Sequence, residues 1–237
     1  KTFTYGAGAG TLTANWSINS YKLTLTKNAH IATIYYKVSA SSGWASTTSS
    51  AEVNVVFGQT WSAYATADTG YSVNTYYDAS HTQSAAMTSS GATFSPTTTA
   101  ISYTIGYTLN SGSVASANPT SYTIESSAIT LNNPTKTGYT FKGWSGTGLT
   151  GDTNTSVTIA AGSTGNRSYT ANWTANTYTI AFNGNGNTGG STSSVTATYD
   201  NTRSLTANGF SKTGYSFAGW ATSSGGSVAH ANSATLT

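Results

Sequence analysis

Polar and apolar residues alternate along most of this chain. Tyr21-Lys-Leu-Thr-Leu-Thr26, Ala32-Thr-Ile-Tyr-Tyr-Lys-Val38, Val53-Asn-Val-Val-Phe57, Tyr103-Thr-Ile-Gly-Tyr-Thr-Leu109, Ser156-Val-Thr-Ile159 and Tyr178-Thr-Ile-Ala-Phe182 place β-branched and aromatic side chains at period two. That period puts alternate side chains on opposite faces of an extended strand. Turn formers separate the runs: Asn110-Ser-Gly112, Asn183-Gly-Asn-Gly-Asn187 and Ser223-Ser-Gly-Gly226. No window of about 12 residues carries a 3.6 period. The chain is expected to be mainly β, with room for a short helical turn near Gln59–Ala67 or Tyr122–Ser127.

Landmarks recur along these strands. Thr-Gly-Tyr occurs at Thr69–Tyr71, Thr137–Tyr139 and Thr213–Tyr215. The two later copies sit in a longer match, Pro134-Thr-Lys-Thr-Gly-Tyr-Thr-Phe-Lys-Gly-Trp144 against Phe210-Ser-Lys-Thr-Gly-Tyr-Ser-Phe-Ala-Gly-Trp220. A second landmark, Tyr169-Thr-Ala-Asn-Trp173, precedes the Tyr178 strand as Leu12-Thr-Ala-Asn-Trp16 precedes the Tyr21 strand. A unit therefore ends at Ala-Asn-Trp, and the next opens on a Tyr-started strand. The chain divides into a closing strand segment of a preceding repeat (1–16), a divergent module (17–100), a regular module (101–175) and a module lacking its closing strand (176–237). The joints Ser17–Ser20 and Thr174–Thr177 contain neither Pro nor Gly and are expected to be short and stiff.

This frame resembles the Listeria–Bacteroides repeat, related to the internalin B-repeat. The resemblance covers 101–175, 176–237 and, as a closing strand, 1–16. Segment 17–100 keeps the Tyr21 strand, the strand before Gly58 and Thr69-Gly-Tyr71. It has Ser72-Val-Asn-Thr75 in place of Phe-x-Gly-Trp and ends on Phe94-Ser-Pro-Thr97 instead of Ala-Asn-Trp. The resemblance implies small β-grasp-like modules strung along bacterial surface proteins and adhesins, with no catalytic machinery.

Composition narrows the function classes. The 237 residues include no Cys, so neither disulfides nor cysteine metal sites exist. Charged residues make up 6%, against about 25% in an average chain. Nine Lys and Arg against six Asp and Glu give no dense cationic patch for nucleic acid. The 12% aromatic content argues against disorder. No apolar run approaches the ~20 residues of a membrane span. With 47 Thr and 36 Ser, the composition fits an exported bacterial surface protein.

The chemistry-bearing residues are sparse. His30, His81 and His230 are isolated from one another, and the six carboxylates are spread over three modules. Neither a metal site nor an acid/base pair is expected, and no cofactor. Asn183–Asn187 lacks the Lys of a phosphate loop and the acids of a calcium loop, so it reads as a turn. A Lys–Asn or Lys–Asp isopeptide staple would need a buried Lys beside a carboxylate; Lys142 with Glu125, and Lys22 or Lys37 with Glu52, are the available pairings. The motif aromatics are expected in module cores, with Gly143 re-aiming Trp144 onto the face of Tyr139 and Phe141. Trp44, Trp61, Tyr76 and Tyr77 stand outside the motifs and are candidates for stacking on glycan rings.

The sequence frame leads to an assembly expectation. The unit holding Trp220 shows no Tyr-Thr-Ala-Asn-Trp after it, and Leu12–Trp16 is such a motif with no unit before it. Phe3, Tyr5, Leu12, Ala14 and Trp16 are expected to act as a donor strand. They would complete a neighbouring copy's module, whose core is assigned to Tyr178, Ile180, Phe182, Tyr215, Phe217 and Trp220. Donor and acceptor lie on different modules, so repetition gives an open head-to-tail polymer. The alternatives are one period of a covalent tandem array, or an adhesin module binding a host or environmental glycan. All three place the protein outside the cell, without catalysis, nucleic acid or a membrane span.

Overall fold

Strand Tyr103–Thr108 shows how the alternating pattern becomes structure. In the computed structural model, which describes residues 10–236, it lies between Ser121–Tyr122 and Arg167–Ala175, and Tyr139–Gly146 completes the four-stranded sheet. The closing strand Arg167–Ala175 is central. It runs parallel to the opening strand, with Ile105 opposite Arg167 and Tyr107 opposite Tyr169. It runs antiparallel to the motif strand, with Phe141 opposite Trp173 and Trp144 opposite Ala171. Ile105, Tyr122, Leu131, Trp144, Val157, Ile159, Tyr169 and Ala171 form the buried core. A bulge between Phe141 and Gly143 shifts the register and brings the Trp144 ring against Phe141 at 5.5 Å. Gly143 sits at φ 146°, and a Cβ there would lie 2.4 Å from the Asn154 nitrogen, so only glycine fits the bulge.

Residues 17–101 share part of this pairing pattern. Strand Ser20–Leu25 pairs antiparallel with Ala51–Val56 and parallel with Ala92–Phe94. Leu25 stands opposite Phe94 as Tyr107 stands opposite Tyr169. Tyr71 and Val73 stand opposite Ala100 and Thr98 as Tyr139 and Phe141 stand opposite Ala175 and Trp173. Residues 92–100 therefore close this module without an Ala-Asn-Trp motif, and the fully buried Pro96 takes the place of Ala171. A second sheet is ordered Ala45–Thr47, Ile31–Lys37, Thr60–Ala67, Gln83–Ala86. The two share a core built on Leu23, Leu25, Ile31, Ile34, Trp61, Met87 and Phe94.

The described residues form strands and turns, and no helix. Gln59–Ala67, allowed above as a helical turn, is the strand Thr60–Ala67, whose Trp61, Ala63 and Ala65 point into the core at period two. Tyr122 ends a strand, and Thr123–Ser126 is a turn closed by a Ser126 N–H to Thr123 carbonyl bond of 3.1 Å. The chain divides into two compact units between Ile101 and Ser102. Within the second, only Asn176 separates the strands Arg167–Ala175 and Thr177–Ile180, so this joint is tighter than the four residues expected.

Candidate functional site

The last module repeats its predecessor up to the central strand. Thr177–Ile180 pairs with Val195–Thr198 as Tyr103–Thr108 pairs with Ser121–Tyr122. Thr188 donates its N–H to the Ser211 carbonyl as Ser113 does to Thr135. Gly219, at φ 144°, repeats Gly143. The Trp220 N–H donates to the His230 carbonyl at 2.8 Å, as that of Trp144 does to Asn154. What differs is the place that Arg167–Ala175 holds. Among the described residues, no strand lies between Thr177–Ile180 and Phe217–Trp220. Among the described residues, Thr177–Ile180 pairs only with Val195–Thr198, and Phe217–Gly219 belongs to no strand.

The core of this module is correspondingly thin. Phe182, Phe217 and Trp220 gather at ring separations of 4.5 and 4.8 Å, but Phe217 is 42% exposed, and Val195 and Leu205 are its only fully buried apolar residues among those described. Ile180 is half-buried opposite Val195. The Trp220 Nε1 is buried without a partner, while the Trp144 Nε1 donates to Asn133 Oδ1 at 2.9 Å. Gly209 stands where Asn133 would be.

Tyr178 and Tyr215, assigned above to this core, are both exposed. Tyr178 lacks the ring partner that Tyr103 finds in Tyr122 at 5.6 Å, because Ala197 replaces that tyrosine. Tyr215 is displaced for a different reason, visible at Tyr139. The Tyr139 ring stands edge-on to Tyr199 at 5.6 Å and its hydroxyl donates to Asp200 Oδ2 at 3.0 Å, so it belongs to the joint between modules and not to a core. That hydrogen bond holds its phenol above the usual tyrosine range.

The closing motif Leu12–Trp16 lies outside any strand, with Leu12 and Trp16 exposed, Trp16 at 89%; Ala14 is exposed as well. Phe3 and Tyr5 lie outside the described residues. In the closed module the same motif is tightly used. Tyr169 and Ala171 are buried, Asn172 Nδ2 donates to the Gly143 carbonyl at 3.1 Å, and Trp173 Nε1 donates to the Leu109 carbonyl at 3.1 Å.

The Listeria-Bacteroides repeat domain matches residues 103–173 and 178–237, more than half of the chain. The chain belongs to the Listeria-Bacteroides repeat family. No curated protein and no solved structure gives a significant match. The first matched repeat stops at Trp173, the last residue of the Ala-Asn-Trp landmark, so the closing strand lies inside the repeat that it completes. Among the described residues, no helix is long and apolar enough to cross a membrane.

The candidates for glycan stacking separate. Trp61 is buried at 5% exposure, and Tyr77 packs against the core with its ring 5.6 Å from Phe94, so neither offers a free ring face. Strand parity points Trp61 inward, and Tyr77 is carried against the core by the bend after Tyr71–Val73. Trp44 and Tyr76 are exposed. Trp44 stands edge-on to Tyr64 at 4.9 Å, Tyr64 stacks on Tyr35 at 4.7 Å, and Lys37 Nζ lies 5.1 Å from the Trp44 ring. Tyr35 sits in an ordinary strand run of the sequence and Tyr64 in the stretch allowed a helical turn, and only cross-strand pairing brings them together.

Neither Lys142 nor Lys22 is buried as an isopeptide staple requires. Lys142 bonds Asp152 at 2.6 Å and Lys22 faces Glu52 at 3.7 Å, all four side chains being more than 40% exposed. His81 Nδ1–H donates to Asp78 Oδ1 at 3.0 Å, and this hydrogen bond lowers the Asp78 carboxyl below its usual range. His30 stacks on Tyr71 at 3.7 Å. No three His, Asp or Glu side chains cluster as metal ligands among the described residues.

Proposed function

We propose that this chain is a non-enzymatic structural subunit of a bacterial surface filament or stalk, a string of β-grasp-like repeats joined head to tail. The family supports a bacterial surface repeat protein. The finer reading, strand donation between copies, rests on one observation. Among the described residues, the 176–237 module has no strand in the slot that Tyr169–Trp173 fills in the 102–175 module, while Leu12–Trp16, of matching sequence, is exposed and outside any strand. Following the closed module's register, a neighbour's Ala14 pairs with Trp220, Asn15 with Gly219 and Trp16 with Phe217. Burying Leu12 and Trp16 contributes about 1.5–3 kcal/mol each before ordering costs.

Deletion of residues 1–16 tests this. The unmodified chain is expected to form long polymers under the electron microscope, the deleted chain none. A synthetic 1–16 peptide is expected to cap growing ends and to protect the amides around Trp220 from exchange. Polymers of unchanged repeat from the deleted chain would sink the strand-donation reading and leave the covalent tandem array.

A second reading, glycan binding, is favoured by the exposed Trp44 beside Tyr64, Tyr35 and Lys37. An exposed indole with an amine over its ring and two tyrosines beside it offers a sugar both stacking surface and hydrogen-bonding groups. Saturable binding on a glycan array that is lost in Trp44→Ala supports it; no binding leaves the structural reading alone.

A further inference from the structure

The joint between modules is a second, separate contact from the closing strand. After Trp173 the chain runs three residues to Asn176, whose N–H donates to the Gly138 carbonyl at 2.9 Å. Thr140 Oγ1 donates to Asn176 Oδ1 at 2.7 Å, and the Asn176 carbonyl accepts the Tyr199 N–H at 2.9 Å. Tyr199 then lies across Gly138 and Tyr139, so close that a Cβ on Gly138 would stand 2.3 Å from its ring. The first unit repeats the backbone part, with the Ile101 N–H donating to the Gly70 carbonyl at 2.9 Å. The Thr137-Gly-Tyr139 turn is thus a seat for the start of the 176–237 module.

The turn of the last module is a seat of the same build. Gly214 has φ 80° against 77° for Gly138, and Lys212 Nζ lies over the Tyr215 ring at 4.9 Å as Lys136 Nζ lies over Tyr139 at 4.0 Å. Yet Tyr215 is 74% exposed, and a Cβ on Gly214 would meet nothing within 4 Å. The matching plug is present at the start of the first module. Asn19 follows Trp16 by the same three residues, and its carbonyl accepts the Phe57 N–H at 2.9 Å. Phe57 is 49% exposed, and with Ile18, Asn19 and Tyr21 it lines a shallow groove.

We propose that Gly214 and Tyr215 of one copy seat Asn19 and Phe57 of the next, with the Tyr215 ring in the groove beside Phe57. The Gly214 carbonyl accepts the Asn19 N–H, and Ser216 takes the place of Thr140 toward the Asn19 side chain. The proposal rests on strand donation as read above, because Asn19 reaches the seat only when Leu12–Trp16 occupies the slot. It adds that the contact between copies fixes their orientation as the Asn176 joint does within the chain. Asp200 is replaced by Gly58 at this joint, so the seat between copies lacks the Tyr139 hydroxyl bond.

Two full-length variants separate this seat from the strand. Gly214→Asn keeps a residue that tolerates positive φ and adds atoms where the Phe57 ring would lie. Phe57→Ser alters the other partner, on a different module. Both are expected to bind the free 1–16 peptide, which lacks Asn19 and Phe57, as the unmodified chain does. Both are expected to weaken association between copies by about tenfold or more. Unchanged association in either variant overturns the seat while leaving strand donation standing. Loss of peptide binding in Gly214→Asn also overturns it, since the turn would then act within its own module. If the peptide does not bind the unmodified chain, strand donation and the seat fall together.

Discussion

The Trp144 indole N–H donates to Asn133 Oδ1 at 2.9 Å, which lets a fully buried tryptophan satisfy its one polar atom. Trp144→Ala is expected to destabilise its module by about 3–5 kcal/mol, the range for a buried aromatic. Asn133→Ala leaves the indole unpaired and is expected to cost about 1–3 kcal/mol. Trp220 is less enclosed and its Nε1 has no partner, so Trp220→Ala is expected to cost clearly less in the chain alone. Denaturant melts of the three variants, with and without the 1–16 peptide, check the order. The Trp220 loss should grow when the peptide closes the module.

Trp61 and Trp44 provide the matching contrast in the first module. Trp61→Ala is expected to cost about 3–5 kcal/mol, as it empties part of the core that holds Ile34 and Met87. Trp44→Ala, at a ring 46% exposed, is expected to cost less than about 1 kcal/mol. Equal melting losses would contradict the inward and outward assignment of these two residues.

Burial beside Tyr169 pushes the Tyr107 phenol up to about 12. The neutral form is favoured in the fold, and the ordinary value in the unfolded chain is 10.0. The associated stability is fully present below pH 10.0 and is lost as the pH rises toward about 12. Tyr107→Phe removes this proton and the hydrogen bond to the Pro119 carbonyl. The variant is expected to be less stable at neutral pH by about 0.5–1.5 kcal/mol and to show a flatter loss between the two values. Parallel stability curves for the two proteins across alkaline pH would refute it.

Gly138→Ala adds a methyl group at φ 77° directly into the Tyr199 ring. It is expected to loosen the joint as well as strain the turn. Tyr199→Ala in the same chain should recover the steric part but not the backbone part, giving a coupling of about 0.5–3 kcal/mol in a double-mutant cycle. Additive losses would mean that the ring moves aside without cost.

The strand runs were legible because period two is a local property of the chain: the Tyr21, Ala32, Val53, Tyr103 and Tyr178 runs all lie on strands. The repeat frame was legible for the same reason, since Gly143 and Gly219 each answer a backbone demand that no other residue meets. The closing motif Leu12–Trp16 could be recognised by its likeness to Tyr169–Trp173. The Asn three residues after each Trp was also there to be seen, but its meaning was not, because a hydrogen bond to Gly138 leaves no trace in local periodicity.

Alternation says that a strand has two faces, but not which one will be covered. Trp61 and Tyr64 stand on the same strand, and the element that buries one and leaves the other facing Tyr35 comes from distant sequence. Tyr139 and Phe141 share a parity, yet Phe141 packs on Trp144 while Tyr139 meets Tyr199, because the following module arrives at that end of the strand. Phe94–Thr98 closes the first module without the landmark motif, since backbone pairing tolerates other side chains when Pro96 fills the same buried position. The sequence by itself determined the strands, the repeats and the identity of the closing motif. Only the tertiary structure decided which aromatics are core, joint or surface, because burial is set by what packs against a face, and that partner is chosen across the fold and not along the chain.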